Sequence, residues 1–159
     1  MNAVPAPAAK VDPTQTRQVQ ELKHPSPLLS CRFDPTGRFV FAGAQDSSVQ
    51  RWEIATGKKT ALLGHKSWVR ALTFQPKDRV LYAGDYTGKV LAWPVDAETP
   101  APTRTFAAHQ GWVRAAAVSP DGRWLATCGN DLLVKLWSTA DGRPVRAFRM
   151  PPTSQPLPI

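Results

Sequence analysis

The sequence contains few of the residues from which disulfide frameworks and metal sites are built. Its 159 residues include two cysteines, Cys31 and Cys128, and three histidines. Two cysteines cannot supply the several disulfides that hold small secreted domains together, so the composition predicts a cytoplasmic protein. The two cysteines are not spaced as a CxxC pair, and we expect both to be buried, unreactive thiols.

Long apolar runs and acidic residues are also scarce. No run approaches the 18 residues of a membrane-spanning helix, so we expect no membrane partner. The first residues, MNAVPAPAAK, lack the basic and apolar regions of a secretory signal. Twenty Lys and Arg stand against 12 Asp and Glu, a formal charge of +8 that can indicate an anionic partner. Ten glycines and 16 prolines favour short strands and turns over long helices.

A frame that begins with histidine and ends with tryptophan occurs three times in the sequence. The frames run from 24 to 52, from 65 to 93 and from 109 to 137, and they also share a proline, an arginine and a valine at matching positions. Their histidines are 41 and 44 residues apart. A period of about 40–45 residues is typical of the four-stranded blades of β-propellers.

Each frame has the local pattern of a strand hairpin followed by two further strands. Apolar runs such as WVRALTF lead into proline-containing turns, where Gly37, Asp78 and Gly122 occupy the position that needs a positive φ. A second strand, a polar turn, a third strand ending in tryptophan and a more polar outer strand follow. The sequence therefore predicts an all-β fold of three four-stranded antiparallel blades.

These residues resemble the WD-repeat β-propeller family over roughly residues 18 to 149. The motifs that carry the resemblance are Gly64-His65, the SPDG turn at 119–122 and the tryptophan that ends each third strand. We predict an Ala/Pro-rich leader at 1–15, a blade region at 16–150 and a Pro-rich tail at 151–159. The blade frames are 24–64, 65–108 and 109–150, and residues 16–24 are predicted to form one extra outer strand.

The resemblance implies that a relay of four side chains locks each blade: a histidine, a hydroxyl, an acid and the tryptophan. The third frame has all four, namely His109, Thr127, Asp131 and Trp137. The first has His24, Asp46 and Trp52, but Ala42 in place of the hydroxyl. The second has His65 and Trp93, with Ala83 in place of the hydroxyl and Thr87 in place of the acid. The relay is therefore expected to be weaker in the first two blades.

Three blades are fewer than a closed propeller contains, since rings close with about 4–8 blades. One hypothesis is that the chain is the front portion of a longer propeller. The other is that two copies associate into a six-bladed ring. The sequence leaves both open.

No pattern in the sequence points to catalysis. The three histidines are accounted for by the repeat, and neither a paired-carboxylate motif nor a GxGxxG or phosphate-binding loop is present. We therefore expect a protein that is not an enzyme and that uses no cofactor and no metal.

In the WD-repeat family, one rim of the central channel commonly docks peptides and proteins. The resemblance places nine residues on that rim: Gln45, Lys66, Trp68, Arg70, Tyr86, Gln110, Trp112, Arg114 and Asn130. Aromatic and arginine side chains are the usual anchors of interfaces. The leading hypothesis is a non-catalytic scaffold that binds a protein or peptide of acidic character at this rim.

Two alternatives come from other classes of function. The basic surface of the outer strands could bind nucleic acid or another polyanion without sequence preference. We do not expect nucleic acid there, because lysine and arginine on edge strands also prevent unwanted strand pairing. The chain could also be the regulatory propeller portion of a larger multidomain enzyme.

Overall fold

The computed structural model describes residues 12–149, and it confirms an all-β architecture within them. Residues 1–11 of the predicted leader and the tail at 151–159 lie outside the described residues. The described part contains one 3₁₀ turn of three residues, Pro13–Gln15, and no helix in it is long and apolar enough to cross a membrane.

Twelve strands form three separate antiparallel sheets of four, each in chain order, which are the three predicted blades. Blade one consists of β1 Leu28–Phe33, β2 Phe39–Ala44, β3 Val49–Glu53 and β4 Lys59–Leu62. Blade two consists of β5 Val69–Gln75, β6 Val80–Asp85, β7 Lys89–Pro94 and β8 Arg104–Ala107. Blade three consists of β9 Val113–Val118, β10 Trp124–Gly129, β11 Leu133–Ser138 and β12 Pro144–Arg149.

The extra outer strand predicted at residues 16–24 is absent. A strand forms only where a neighbouring edge offers unpaired N–H and C=O groups. In this chain β12 already pairs along the outer edge of β11, from Leu133 opposite Arg149 to Trp137 opposite Pro144. Residues 16–24 therefore lie outside all three sheets.

Two smaller expectations also need correction. In the first turn of blade two the residue with positive φ is Arg79, at 52°, and not Asp78, because this turn is shifted by one residue relative to the turns at Gly37 and Gly122. The cysteines are not buried: Cys31 is exposed and Cys128 is half-buried.

The hydrophobic core lies between neighbouring blades and not inside any one of them. Phe41, Val49 and Leu62 of blade one pack against Leu81 and Trp93 of blade two. The opposite face of blade two packs against blade three through a second cluster, which includes Tyr82, Phe106, Val113, Leu125 and Trp137. Both faces of blade two are thus covered, as in a row of stacked sheets.

The outward face of blade three has no neighbour among the described residues. Val90 and Phe106 of blade two are 0% and 6% exposed, whereas Val134 and Phe148, which pair in the same way in blade three, are 39% and 44% exposed. An open apolar face of this kind is compatible with both sequence hypotheses, further blades or self-association.

Each inner strand carries a β-bulge at the same place. The pairing of β5 with β6 shifts register between Val69 and Ala71, which leaves Arg70 unpaired. The corresponding shifts leave Leu29 unpaired in β1 and Arg114 unpaired in β9. A bulge changes the direction of the side chain that it carries, so these three side chains do not follow the regular alternation of their strands.

Candidate partner-binding site

The relay of blade three is complete, and it fixes the loop before β9 to the turn after β10. Trp137 Nε1 donates to Thr127 Oγ at 2.9 Å, and Thr127 Oγ lies 2.8 Å from His109 Nε2. His109 Nδ1 lies 2.8 Å from Asp131 Oδ1. One set of donors and acceptors satisfies all three hydrogen bonds. The hydroxyl of Thr127 accepts from Trp137 and donates to His109 Nε2, and His109 Nδ1 donates to Asp131.

Blade two contains an acid that the sequence comparison did not anticipate. His65 Nδ1 lies 2.8 Å from Asp85 Oδ2, and both side chains are completely buried. Asp85 is the last residue of β6, two residues before Thr87, and it also accepts from the backbone N–H and the hydroxyl of Thr87. The sequence did contain a signal for Asp85: an aspartate stands two residues before Thr87, which occupies the position where the repeat leads one to expect the acid.

The backbone position of Asp85 corresponds to Gly129 in blade three. A Cβ atom at Gly129 would lie 2.5 Å from Cγ of His109, so blade three cannot hold a side chain there. The two blades therefore place their acids at different positions, and blade three could not use the position of Asp85.

The hydroxyl is missing from blade two, as the sequence indicates. Neither His65 Nε2 nor Trp93 Nε1 has a hydrogen-bond partner among the described residues, although both atoms are buried. The centroids of the two rings are 5.2 Å apart. Ala83, at the position of Thr127, offers no oxygen to either nitrogen.

Blade one uses a third arrangement. His24 presents Nε2 to Asp46 Oδ2 at 2.7 Å, so its ring is turned relative to the other two histidines. Its Nδ1 accepts from Lys59 Nζ at 2.8 Å, and the same ammonium lies 5.5 Å from the centroid of Trp52. Blade one thus replaces the hydroxyl by a lysine that reaches the histidine from β4.

The carboxylates of the relays are held in the ionised form. Burial alone raises the pKa of Asp85, but hydrogen bonds from His65 and Thr87 outweigh it and leave the pKa below its ordinary value of 3.8. The same balance lowers the pKa of Asp131, through His109 and the N–H of Gln110, and that of Asp46, through Ser48 and His24.

Backbone hydrogen bonds bring two loops of each blade together at one end of the sheet. The N–H of Tyr86 donates to the carbonyl of Trp68 at 3.1 Å, and the N–H of Asn130 donates to that of Trp112 at 3.0 Å. In blade one Gln45 donates to Pro27 in the same way. The turns that carry Gln45, Tyr86 and Asn130 therefore lie at corresponding ends of the three sheets, each next to the acid of its relay.

Three of the predicted rim residues form a continuous aromatic ladder, which we define as Trp68, Tyr86 and Trp112. The rings of Tyr86 and Trp112 stack with centroids 4.1 Å apart and an angle of 12° between their planes. Trp68 lies 5.5 Å from Tyr86. The guanidinium of Arg114 lies 4.5 Å from the Trp112 centroid, and its Nε donates to Asn130 Oδ1 at 2.5 Å. The ladder crosses the boundary between blades two and three.

The other predicted rim residues do not join the ladder. Lys66 is exposed, and Gln110 is exposed while its N–H donates to Asp131. Gln45 is half-buried in blade one. Arg70 instead lines a separate cavity.

That cavity lies between the inner strands of all three blades and has a volume of about 280 Å³. Arg32 of β1, Arg70 of β5 and Arg114 of β9 line it, together with Ser30, and no acidic residue does. The sequence comparison missed Arg32 and Ser30, because neither occupies the frame position shared by Arg70 and Arg114.

Nothing in the described residues resembles a metal centre, since residues 12–149 contain no group of three or more His, Cys, Asp or Glu able to hold an ion. The outer-strand charges are dispersed: Arg104 donates to the carbonyls of Thr139 and Ala140, and Arg143 pairs with Asp141. The aromatic ladder is thus the most concentrated set of interface-type side chains on the rim.

Comparison with known sequences gives three matches to the family described as "WD domain, G-beta repeat", at residues 16–53, 57–93 and 100–138. Among curated proteins, Periodic tryptophan protein 2 of Arabidopsis thaliana is 33% identical over 120 residues, which cover 74% of this chain and 13% of that protein. COMPASS component SWD3 of Saccharomyces cerevisiae is 27% identical over 139 residues, which cover 81% and 44%.

Solved structures give the same fold. The structure of U3-55K matches with a TM-score of 0.75 at 22% identity and covers 80% of this chain and 41% of that one. A chain of the mitotic checkpoint complex matches with a TM-score of 0.70 at 24% identity, covering 76% and 38%. The chain spans less than half the length of each of these proteins.

Proposed function

Because this chain belongs to the WD40 repeat family, we propose that it is a non-catalytic binding module that docks a protein or peptide on the aromatic ladder. The observation that carries the proposal is the contact of Trp68 with Tyr86 and the stacking of Tyr86 on Trp112 across two blades. Trp68 and Trp112 remain 43% and 38% exposed, which is unusual for side chains of their size. Tryptophan, tyrosine and arginine are the residues that dominate the energetics of protein interfaces.

The ladder is ordered before any partner arrives. Tyr86 is fixed by the backbone bond to Trp68, and Arg114 is fixed by Asn130 and by the Trp112 ring. Side chains that are already immobile lose little entropy on binding, so the apolar edges of the ladder can contribute their full area.

The stacking geometry favours a protein partner over a nucleic acid. Tyr86 and Arg114 each lie within 4.5 Å of the Trp112 centroid, which requires them to occupy opposite faces of the indole. Single-strand binders need free aromatic faces on which bases stack. Here Trp112 has both faces occupied by Tyr86 and Arg114, so its indole is left to bind through its ring edge, which suits aliphatic and proline side chains.

The charge around the ladder favours an acidic partner. Lys66, Arg70 and Arg114 are exposed, and none of them forms an ion pair with a carboxylate among residues 12–149. Complementary charge speeds encounter and fixes orientation more than it adds affinity. We therefore assign the apolar edges to affinity and the basic residues to selection of the partner.

The test is selection of peptides from a random library on the full-length chain, followed by affinity measurements on the selected peptides. Trp112→Ala should weaken the selected peptides by about tenfold or more, because it removes the ring that stacks on Tyr86 and supports Arg114. Trp124→Ala is the matched control. Trp124 is 37% exposed, close to the 38% of Trp112, and begins β10 at the opposite end of the same hairpin.

Equal losses from the two tryptophan variants would contradict the proposal, and so would a library that yields no peptide at all. Affinity that falls steeply with salt and does not depend on Trp112 would instead support polyanion binding by the basic surface. Circular dichroism melts of both variants establish that the losses do not come from unfolding.

A further inference from the structure

The cavity between the inner strands has the chemistry of an anion site. We define the arginine cavity by Arg32, Arg70 and Arg114, which come from three different blades. No acidic side chain lines it. We propose that the arginine cavity binds a phosphate monoester carried by a side chain of the partner that docks on the aromatic ladder.

The arginines of the cavity are free of counter-charges. Among residues 12–149, Arg38, Arg79, Arg123 and Arg143 each pair with a carboxylate. None of the three cavity arginines does so. Arg32 donates Nη1 to the carbonyl of Cys31, and Arg114 donates Nε to Asn130, which leaves further N–H groups of both available.

Two of the guanidiniums are placed there by the irregularity of the strands. Arg70 and Arg114 occupy the bulged positions of β5 and β9, where the register shift separates their side chains from the regular alternation. Both bulges occur at the same position of the frame, so the two side chains enter the cavity from neighbouring blades.

A second observation points to a ligand. Ser30 lines the same cavity, and its hydroxyl oxygen is buried and has no hydrogen-bond partner among the described residues. Buried hydroxyl groups are normally paired. A bound oxyanion would accept from this hydroxyl as well as from the arginines.

The charge of the site selects phosphate over carboxylate. A phosphate monoester has three terminal oxygens and a charge of about −1.5 to −2 at pH 7, whereas a carboxylate has two oxygens and a single charge. Arginine binds phosphate oxygens through paired N–H groups. Three guanidiniums around one cavity therefore match a phosphate more completely than an aspartate or glutamate.

The position of the site connects it to the ladder. Arg114 lies over Trp112 and also lines the arginine cavity, so a chain that crosses the ladder can reach the cavity with an adjacent side chain. The identity of the ligand as part of a docked partner rests on the proposed function. The binding of a phosphate monoester in the cavity does not depend on that function.

The probe is the pentapeptide Gly-Gly-phosphoserine-Gly-Gly, titrated into the full 159-residue chain and followed by the side-chain Nε–Hε resonances of arginine. The glycines give the ladder nothing to bind, so this result is independent of the peptide selection described above. Arg70→Ala and Arg114→Ala should each weaken binding by about three- to tenfold. The same pentapeptides with aspartate or serine should bind at least about threefold more weakly than the phosphoserine form.

Blade one offers a gain-of-function variant. Leu29 occupies the bulge of β1 that corresponds to Arg70 and lines the same cavity. Leu29→Arg adds a fourth guanidinium and should tighten phosphoserine binding by about three- to tenfold. Arg149→Ala is the control, because it removes the same charge from an exposed position of β12, outside the cavity.

Three outcomes would overturn the proposal. The first is that Arg149→Ala weakens binding as much as Arg70→Ala does. The second is that Leu29→Arg gives no gain. The third is that the aspartate peptide binds as tightly as the phosphoserine peptide. A ten-nucleotide oligouridylate that binds more tightly than the phosphoserine peptide and loses affinity in the same variants would assign the cavity to nucleic acid instead. Arg70→Lys keeps the charge and guards against misfolding, and it should retain part of the binding.

Discussion

Blades two and three join the same three kinds of residue, histidine, acid and tryptophan, in two different ways. In blade three the acid lies in the turn and a hydroxyl connects histidine to tryptophan. In blade two the acid lies at the end of the strand, completely buried, and no hydroxyl is present. The comparison shows that the contact between acid and histidine is kept when its residue positions change, whereas the link to tryptophan is not required for the blade to form.

Burial makes the acid of blade two the most sensitive of the three. Asp85 is completely buried, Asp131 has 11% of its side chain exposed and Asp46 has 39% exposed. Breaking a buried pair by removing one partner costs about 3–5 kcal/mol. We expect Asp85→Ala to lower the free energy of unfolding by about that amount, Asp131→Ala by about half of it and Asp46→Ala by about 1 kcal/mol or less.

Urea unfolding of the three variants at pH 7 checks this order. Because the pKa of Asp85 is lowered in the folded protein, its stabilising effect is fully present above the ordinary value of 3.8 and is lost as the pH falls through the folded value. The difference between the wild type and Asp85→Ala should therefore shrink below pH 3.8. Equal effects of Asp85→Ala and Asp46→Ala at pH 7 would contradict the importance of burial.

The next largest effect is expected at the hydroxyl of blade three. Thr127→Ala leaves His109 Nε2 and Trp137 Nε1 without their common partner, which reproduces the situation of blade two. The cost should be about 2 kcal/mol, from two buried groups left unpaired. Thr127→Ser keeps the oxygen and is the control, and it should retain most of the stability in the same urea titration. A loss in Thr127→Ser as large as that in Thr127→Ala would assign the effect to packing of the methyl group.

The repeat made the blade architecture predictable, because strand periodicity, turn residues and the spacing of His and Trp all point to one unit. Asp85 was missed because side-chain reach, and not frame position, decides which acid meets the histidine. The absence of the strand at 16–24 was missed because strand formation there depends on a partner edge elsewhere in the chain. Arg32 was missed for the same reason as Asp85, since the cavity is assembled from non-equivalent positions of three blades.

The aromatic ladder shows where the sequence could name residues but not their arrangement. Trp68, Tyr86 and Trp112 were all assigned to the rim from their frame positions. Their stacking depends on how closely blades two and three approach, and this distance is set by the core between them, where Val113 packs against Gly84 and Ala71. A Cβ atom at Gly84 would lie 2.6 Å from Val113, so the close approach needs a glycine there.

The smallest expected effect is a gain of stability in blade two. It tests the comparison in the opposite direction, because it adds the hydroxyl that blade two lacks. Ala83→Ser places an oxygen where Thr127 Oγ lies in blade three, 2.8 Å from the histidine and 2.9 Å from the tryptophan nitrogen. It can accept from Trp93 Nε1 and donate to His65 Nε2, the two buried nitrogens that have no partner among the described residues. We expect the free energy of unfolding to rise by about 1 kcal/mol, measured by urea titration.

Ala42→Ser is the matched control for this gain. In blade one the Nε2 atom of His24 already faces Asp46, and Nδ1 accepts from Lys59, so a new hydroxyl at residue 42 has no free histidine nitrogen to reach. We expect no stabilisation from that variant, because burying a hydroxyl without a partner costs free energy. A gain from Ala42→Ser equal to that from Ala83→Ser would mean that the stabilisation does not come from the relay, and that the two unpaired nitrogens of blade two carry no cost.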